Sequence, residues 1–387
     1  MSRSVLSFHE FASTCCLFFG EKLQPILVAA AIDYNIVSGK RHGDIARRVA
    51  EEIRLRRRQD LGLDQEPEML KALPTYKPLA ERRKRELEGG IILVGRPTFK
   101  EFMAGLKRGW TDGLEKVDHD EELARILEDD SHFDEVHEDP VGLSSVEDAS
   151  SSSSEPQKLT SASQNSPIFS PLQMHLSSTQ KPPGVPQHDT SFHSPPSLIP
   201  RQPPFLLVPF LDYIGFKQIP LMIWDFFNQR HKVQSGAEAA YKVVIGASGP
   251  LQIPSSETTS TNHDLEFAGD LDFDRQVETY YNKSAHSIPE DIAKARQGYY
   301  DALPKRLATA RELAHGIREP TKEEIYNPPP TEVELRAERL KKEKRWRNDA
   351  DGWDIVKPSH DVDWDERFRG TLRTFVNPPE GNETEKP

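Results

Sequence analysis

Pro203 to Gly246 reads PPFLLVPFLDYIGFKQIPLMIWDFFNQRHKVQSGAEAAYKVVIG. It holds the densest run of large apolar residues in an otherwise polar chain. A bilayer span needs about 20 apolar residues, so this reading is tested first. Asp212 and Lys217 fall inside the window Phe205 to Trp224, and each costs about 2.5–3.5 kcal/mol at a bilayer centre. The Leu, Ile, Phe and Val side chains there return only about 0.3–0.6 kcal/mol each. Pro209, Gln218 and Pro220 tip the sum against a span. A buried strand followed by helices fits better. Phe205 to Val208 is a short apolar run closed by prolines, which suits a core strand. Pro220 suits a first helical turn, with Met222, Ile223, Phe226 and Phe227 on one face of the helix. Ser235-Gly-Ala-Glu238 reads as a capping box that opens a second helix. That helix carries Ala239, Ala240, Val243 and Val244, and Gly246 stops it.

The flanking blocks repeat the strand and helix alternation. Asp33 to Val37 alternates as a short strand, and Asp44 to Arg58 reads as a helix with Ile45, Val49 and Ile53 at i+4 spacing. The plain reading of its arginines (Arg47, Arg48, Arg54, Arg56, Arg57, Arg58) is a solvated, cation-rich face near a helix C-terminus; binding of a phosphate or lipid headgroup is the alternative. Residues 59–88 read as polar and irregular. Ile91 to Val94 is a buried strand between glycines, and Thr98-Phe-Lys-Glu101 reads as the capping box of a helix striped by Phe102, Met103, Leu106 and Trp110. This unit superficially resembles a phosphate cradle, but it has neither the G-x-G-x-x-G fingerprint nor G-K-[ST].

Composition bounds the rest. The chain has 387 residues, 31 Pro, 29% charged residues and a formal net charge of −12, with a mean hydropathy of −0.66. These values predict one α/β core of moderate size with long appendages, and the acidic balance argues against a nucleic-acid partner. Cys15 and Cys16 are adjacent, which is neither a zinc spacing nor a disulfide framework. Residues 118–140 are acidic, with His119, His132 and His137 interleaved; the plain reading is a solvated acidic segment with a short helix at Glu121 to Leu127, and a metal site is the alternative, since imidazole and carboxylate are usual ligands. Residues 141–202 are a Ser- and Pro-rich linker by composition. The organisation read from the sequence is therefore 1–24 as an atypical N-terminus, 25–117 and 203–326 as two parts of one α/β domain, 118–202 as a disordered insertion, and 327–387 as a charged helical arm and tail. The sheet is expected to be small, mixed or parallel, and flanked by helices. No secretory signal or presequence is legible in the first residues.

Towards the C-terminus, Ser287-Ile-Pro-Glu290 caps a helix running through Tyr299 and Tyr300 towards Pro304, and a separate helix follows from Lys305 to His315. Thr321-Lys-Glu-Glu324 caps a short turn. Asn327-Pro-Pro-Pro330 is a stop, after which Thr331-Glu-Val-Glu334 caps a charged helix to about Arg347. Glu332–Arg336 and Glu338–Lys342 are i,i+4 pairs in the favourable order. Val333, Ala337 and Leu340 are its apolar stripe, so the helix is expected at a surface or reaching to a partner. Trp346, Trp353 and Trp364 read either as interface anchors or as side chains docking the tail onto the core. The candidate partner-binding residues are Glu334, Arg336, Glu338, Arg339, Lys342, Trp346 and Trp353. No nucleophile–base pair, metal cluster or phosphate loop is recognisable, so no catalytic, cofactor or metal site is expected.

These segments also carry a family resemblance. PPFLLVPFLDYIGFKQIP, SGAEAAYKVV, GIREPTKEEI, NPPPTEVELRAERLKKEKRWRNDADGWDIVKP and WDERFRG resemble the fifty-four-kilodalton Tim subunit of the fungal mitochondrial inner-membrane carrier translocase, over roughly Pro25 to Trp110 and Pro203 to Phe375. The resemblance implies a protein anchored once in the inner membrane, with its bulk in the intermembrane space. It implies a non-catalytic subunit of the complex that inserts multi-pass carrier proteins, and a platform for the small Tim chaperones. The channel subunit and the small Tim complexes are the implied partners, with carrier precursors engaged indirectly. The family begins with a membrane helix, a strand and a glycine turn; Met1 to Leu23 stand in place of that pattern, which leaves both the anchor and the first strand of the sheet open for this sequence. The other readings are an α/β enzyme or binding module for a phosphorylated or nucleotide ligand, and a soluble adaptor outside mitochondria.

Overall fold

The apolar run Ile91–Val94 and the run Phe205–Val208 lie side by side in parallel, Ile91 opposite Phe205 and Val94 opposite Val208. Alternate residues of a strand face opposite sides, and here both sides are covered. Ile92, Val94, Leu206 and Val208 enter one apolar cluster with Phe19, Leu23, Leu27 and Ala239. Leu93 and Phe205 enter another with Phe99, Phe102, Met103, Leu106 and Trp110. Burial on both faces is why these strands read as continuous apolar runs rather than as an alternation.

A computed structural model gives the architecture and describes residues 3–8, 18–64, 68–71, 76–115, 119–130, 132–133, 195–211, 213, 218–253, 269–280 and 287–377. One compact unit, made of residues 1–130 and 192–387, contains the sheet and the helices packed on it. Its strands are β1 (Arg3–Phe8), β2 (Asp33–Ser38), β3 (Gly90–Val94), β4 (Phe205–Val208), β5 (Ser248–Pro250) and β6 (Arg373–Phe375). They form one mixed sheet in the order β2-β1-β3-β4-β6-β5, parallel except where β5 runs antiparallel to β6. The fold is thus the α/β class expected. The first strand, left open by the sequence, is present: Arg3–Phe8 forms it, centrally, pairing with both β2 and β3.

The α-helices of six or more described residues are α1 (Gln24–Ala29, continuing a turn from Phe19), α2 (Asp44–Asp60), α3 (Leu79–Glu88), α4 (Arg96–Thr111), α5 (His119–Glu128), α6 (Ile219–Phe227), α7 (Arg230–Ile245), α8 (Ile288–Ala314) and α9 (Glu332–Val356). Helix α3 falls in a stretch that reads as irregular; it buries no side chain, so it lacks the apolar period that reveals a helix. Helix α7 starts at Arg230 rather than at Ser235, and the Ser235 hydroxyl donates back to the Lys232 carbonyl within the helix at 3.1 Å. Gly246 ends it with φ +73°, as expected. Helix α8 runs unbroken through Pro304; packing along α9 on both sides of the proline outweighs the hydrogen bond it removes.

The capping box expected at Thr98 is not formed. Pro97 fills the first turn and Gly95 precedes it without a side-chain cap. Glu101 instead leaves its own helix and caps α2, accepting from the backbone N–H of Gly43 at 2.9 Å and of Ile45 at 3.0 Å. One buried carboxylate thereby satisfies two orphan donors of another helix. The arginine face of α2 is likewise not simply solvated. Arg57 is buried and donates to the Gly109 and Asp112 carbonyls, while Arg54, Arg56 and Arg58 pair with Asp112, Glu86 and Asp64.

Residues 195–202, which read as the end of the linker, run against the core, where Ile199 is buried and Pro196 accepts from Arg367 at 3.0 Å. The linker from 141 to 194, Cys15 and Cys16, and His137 lie outside the described residues.

Candidate partner-binding site

The apolar pattern of the charged arm predicts a surface helix with Val333, Ala337 and Leu340 inward. The capping box is as read: Glu334 N–H donates to the Thr331 hydroxyl at 3.3 Å and Thr331 N–H to Glu334 at 2.8 Å. Both i,i+4 pairs form as well, each at 2.8 Å. The inward face is different. Leu335, Arg339, Glu343, Trp346 and Trp353 are buried, whereas Val333 is 76% exposed. Two charges lie in the buried stripe, so hydropathy alone cannot find it. The helix also extends to Val356, nine residues beyond the expected end at Arg347.

Helix α8 covers that stripe, and the order of the ion pairs along the two helices (296 to 343, 306 to 338, 311 to 332) makes them an antiparallel hairpin. Glu343 has no exposed surface, accepts from Arg296 at 3.0 Å and from the Tyr300 hydroxyl at 2.8 Å. Tyr300 in turn accepts from Arg339 at 3.2 Å. Arg339 reaches across to α5 and beyond it, donating to the Leu127 carbonyl at 3.2 Å and to both Asp130 oxygens. Burial pushes the Tyr299 and Tyr300 phenols above their ordinary range. Lys342 lies over the Tyr299 ring, 4.3 Å from its centre, and Tyr299 meets Trp346 edge-on.

Of the seven candidate residues, Arg339, Trp346 and Trp353 are therefore spent inside the chain: Trp346 on α8 and Trp353 against His42. Glu334, Arg336, Glu338 and Lys342 keep solvent-facing surface. Glu338 is gripped by Arg306 at 2.7 Å and Lys342 at 2.8 Å. The Arg306 hydrogen bond first, and then that of Lys342, hold its carboxyl down to about 2 from 4.5. A carboxylate depressed in the fold gives stability above its unfolded pKa and loses it as pH falls through the folded one. The urea midpoint should thus drop between pH 4.5 and 2, and less steeply in Glu338→Gln than in the parent chain. Equal slopes would remove the pair from the hairpin's energetics.

Sequence reasoning misses the end of the hairpin. Ile317, Ile325, Tyr326 and Val333 all lie where α8 turns into α9, between 65 and 86% exposed. The turn Lys322–Tyr326 is capped by Glu324, which accepts from Thr321 N–H at 2.9 Å and pairs with Arg318. Prolines 328–330 then stiffen the return. The available signal is four apolar residues isolated in a polar, proline-bounded stretch that no helical or strand period could bury.

The strand–turn–helix that resembles a phosphate cradle is occupied by the chain's own groups. Arg96 and Lys100, both buried, share Glu278, and Arg96 also donates to the Leu271 and Phe273 carbonyls. Among the described residues no group of three or more His, Cys, Asp or Glu could hold a metal. Among them, too, no helix is long and apolar enough to cross a membrane.

A family profile described as "Inner membrane protein import complex subunit Tim54" matches residues 10–293. A Cryptococcus neoformans protein named mitochondrial import inner membrane translocase subunit TIM54 is 36% identical over 93% of this chain and 74% of its own length. The chain belongs to the Tim54 family. An Aspergillus fumigatus Tim54 protein is 25% identical over 73% of the chain and 60% of its own length, and a Candida albicans one is 31% identical over 30% of the chain and 38% of its own. Tim54 membership makes the chain a subunit of the mitochondrial inner-membrane import machinery. The profile covers most of the sheet and ends inside α8, while the Cryptococcus relative matches nearly the whole chain.

Proposed function

We propose that the chain is a non-catalytic subunit of the translocase that inserts multi-pass carriers, acting in the intermembrane space as the platform for the small Tim chaperones. The channel subunit is its membrane partner, and carrier precursors reach it only through the chaperones. The observation that carries this reading is the hairpin of α8 and α9 with its exposed apolar end. Ion pairs along α8 and α9, one of them on the fully buried Glu343, join two long helices, and four apolar side chains at their far end are exposed to solvent. Glu334 and Arg336 follow Val333 within one turn of α9 and give the tip a polar rim, while Glu338 and Lys342 lie further along the helix. Such a centre with a polar rim is the anatomy of a docking patch.

Immobilised full chain should retain the small Tim complex at physiological salt. Ile317→Ser with Tyr326→Ser should weaken retention by about tenfold, an ordinary loss for two interface anchors, without altering the thermal midpoint. No retention by the parent chain would overturn the platform reading. Unchanged retention by the double variant would move the patch elsewhere.

A further inference from the structure

We propose that helix α6 lies in the surface of an anionic bilayer, as a membrane contact built into the folded domain. The helix reads IPLMIWDFF, and not one of its residues is buried. Trp224 is 70% and Phe227 81% exposed. The spacing of Met222, Ile223, Phe226 and Phe227 predicts a core face; all four point to solvent instead. At about 100° per residue, Leu221, Met222, Ile223 and Trp224 occupy four bearings around the axis, and Phe226 and Phe227 fill two more.

A protein groove covers one stripe of an amphipathic helix. This helix carries apolar side chains on more than one stripe. The headgroup–acyl boundary of a bilayer takes up side chains over a wide arc, to a depth of about 5–10 Å. Nine residues rise about 13.5 Å, too little for the roughly 30 Å hydrocarbon core, so the helix lies in the interface rather than crossing it.

Two further features fit that environment. The only ionisable residue in the helix, Asp225, is neutralised by Lys232, so no unpaired charge enters a low dielectric. The next turn presents the Arg230 guanidinium to solvent with the His231 ring exposed beside it, in a chain of net charge −12. A guanidinium beside an aromatic-rich apolar helix is a pairing that anionic headgroups attract. The helix is held in place at its start, where Gln218 donates to the Tyr280 carbonyl at 3.1 Å. This proposal stands independently of chaperone docking, because the lipid assay contains no protein partner.

The test uses the full chain with vesicles of phosphatidylcholine alone or mixed with phosphatidylglycerol. The chain should float with the mixed vesicles, less with the neutral ones, and less as salt rises. Trp224→Ser with Phe227→Ser removes two exposed side chains, so folding should survive and flotation should fall at least about tenfold. Trp224→Phe should float like the parent but lose the fluorescence quenching caused by brominated acyl chains. Three results would overturn the proposal: a folded chain that stays at the bottom with anionic vesicles, a double variant that floats like the parent, or quenching that survives Trp224→Phe. The second of these would place the lipid contact elsewhere on the chain.

Discussion

Replacing Glu278 with alanine is expected to destabilise the domain by about 3–5 kcal/mol, the range for removing one partner of a buried ionic cluster. Glu278 is the carboxylate that Arg96 and Lys100 share, and both cations are about 1% exposed at the start of α4. Arg96 would keep the Leu271 and Phe273 carbonyls, and Lys100 the Lys357 carbonyl at 3.1 Å. Carbonyls solvate a cation but do not cancel its charge, and that difference is the predicted cost. A fall in Tm on the order of 10 °C should accompany it. Glu278→Gln separates charge from shape. Burial already lowers the Lys100 ammonium below its ordinary 10.5, and the Glu278 hydrogen bond opposes that shift. Without the negative charge Lys100 moves further down, so the unfolded chain binds the extra proton and stability rises with pH up to about 10.5. The Glu278→Gln deficit should therefore be smaller near pH 10 than near pH 7, as read by urea midpoints. A loss below about 1 kcal/mol in either variant would mean that water solvates these cations.

The same cluster shows what can be read from the residues alone. Strand β3, α4 and strand β4 are legible because their information is local: a run of apolar side chains, a glycine, a proline, a stripe at helical spacing. The Arg96, Lys100 and Glu278 cluster is not, since the partners stand 182 and 178 positions apart and charge near a helix start looks the same whether solvated or buried. Glu101 misleads in the same manner. Its spacing from Thr98 satisfies the capping-box pattern, yet it caps α2, which only the packing of α2 on α4 brings within reach. The hairpin escapes for a third reason. Its buried face includes Arg339 and Glu343, so the apolar period points to Val333, on the wrong side of the helix. Family resemblance supplies the biological setting, which no residue pattern here encodes. It supplies no site, because the apolar hairpin tip and α6 are features of exposure rather than of sequence type.

Replacing Gly352 with alanine should cost about 3 kcal/mol, at the upper end of what overpacking normally costs, although alanine is the better helix former by about 1 kcal/mol. Gly352 lies inside α9 where that helix crosses the loop before α2. A Cβ there would press into the His42 carbonyl and come within 2.7 Å of Gly43 N. These are backbone atoms, so no rotamer change can relieve the overlap. Gly43 cannot easily yield, because its φ is +81° and its N–H is held by Glu101. The last turns of α9 must therefore lift. That movement would break the Asp351 pairing with Arg108, formed at 2.8 and 3.0 Å, and withdraw Ile355 from Ala46 and Ala104. It would also expose Trp353, now packed edge-on to His42. The expected result is a lower urea midpoint together with a red shift in tryptophan emission. Arg108→Ala is the control, since it deletes the surface ion pair without a clash and should cost under about 1 kcal/mol. If Gly352→Ala were as stable as the parent chain, α9 would not be seated on the domain at this crossing. The hairpin would then be tied to the sheet chiefly through Arg339 and α5, and its tip could no longer present a partner with a fixed geometry.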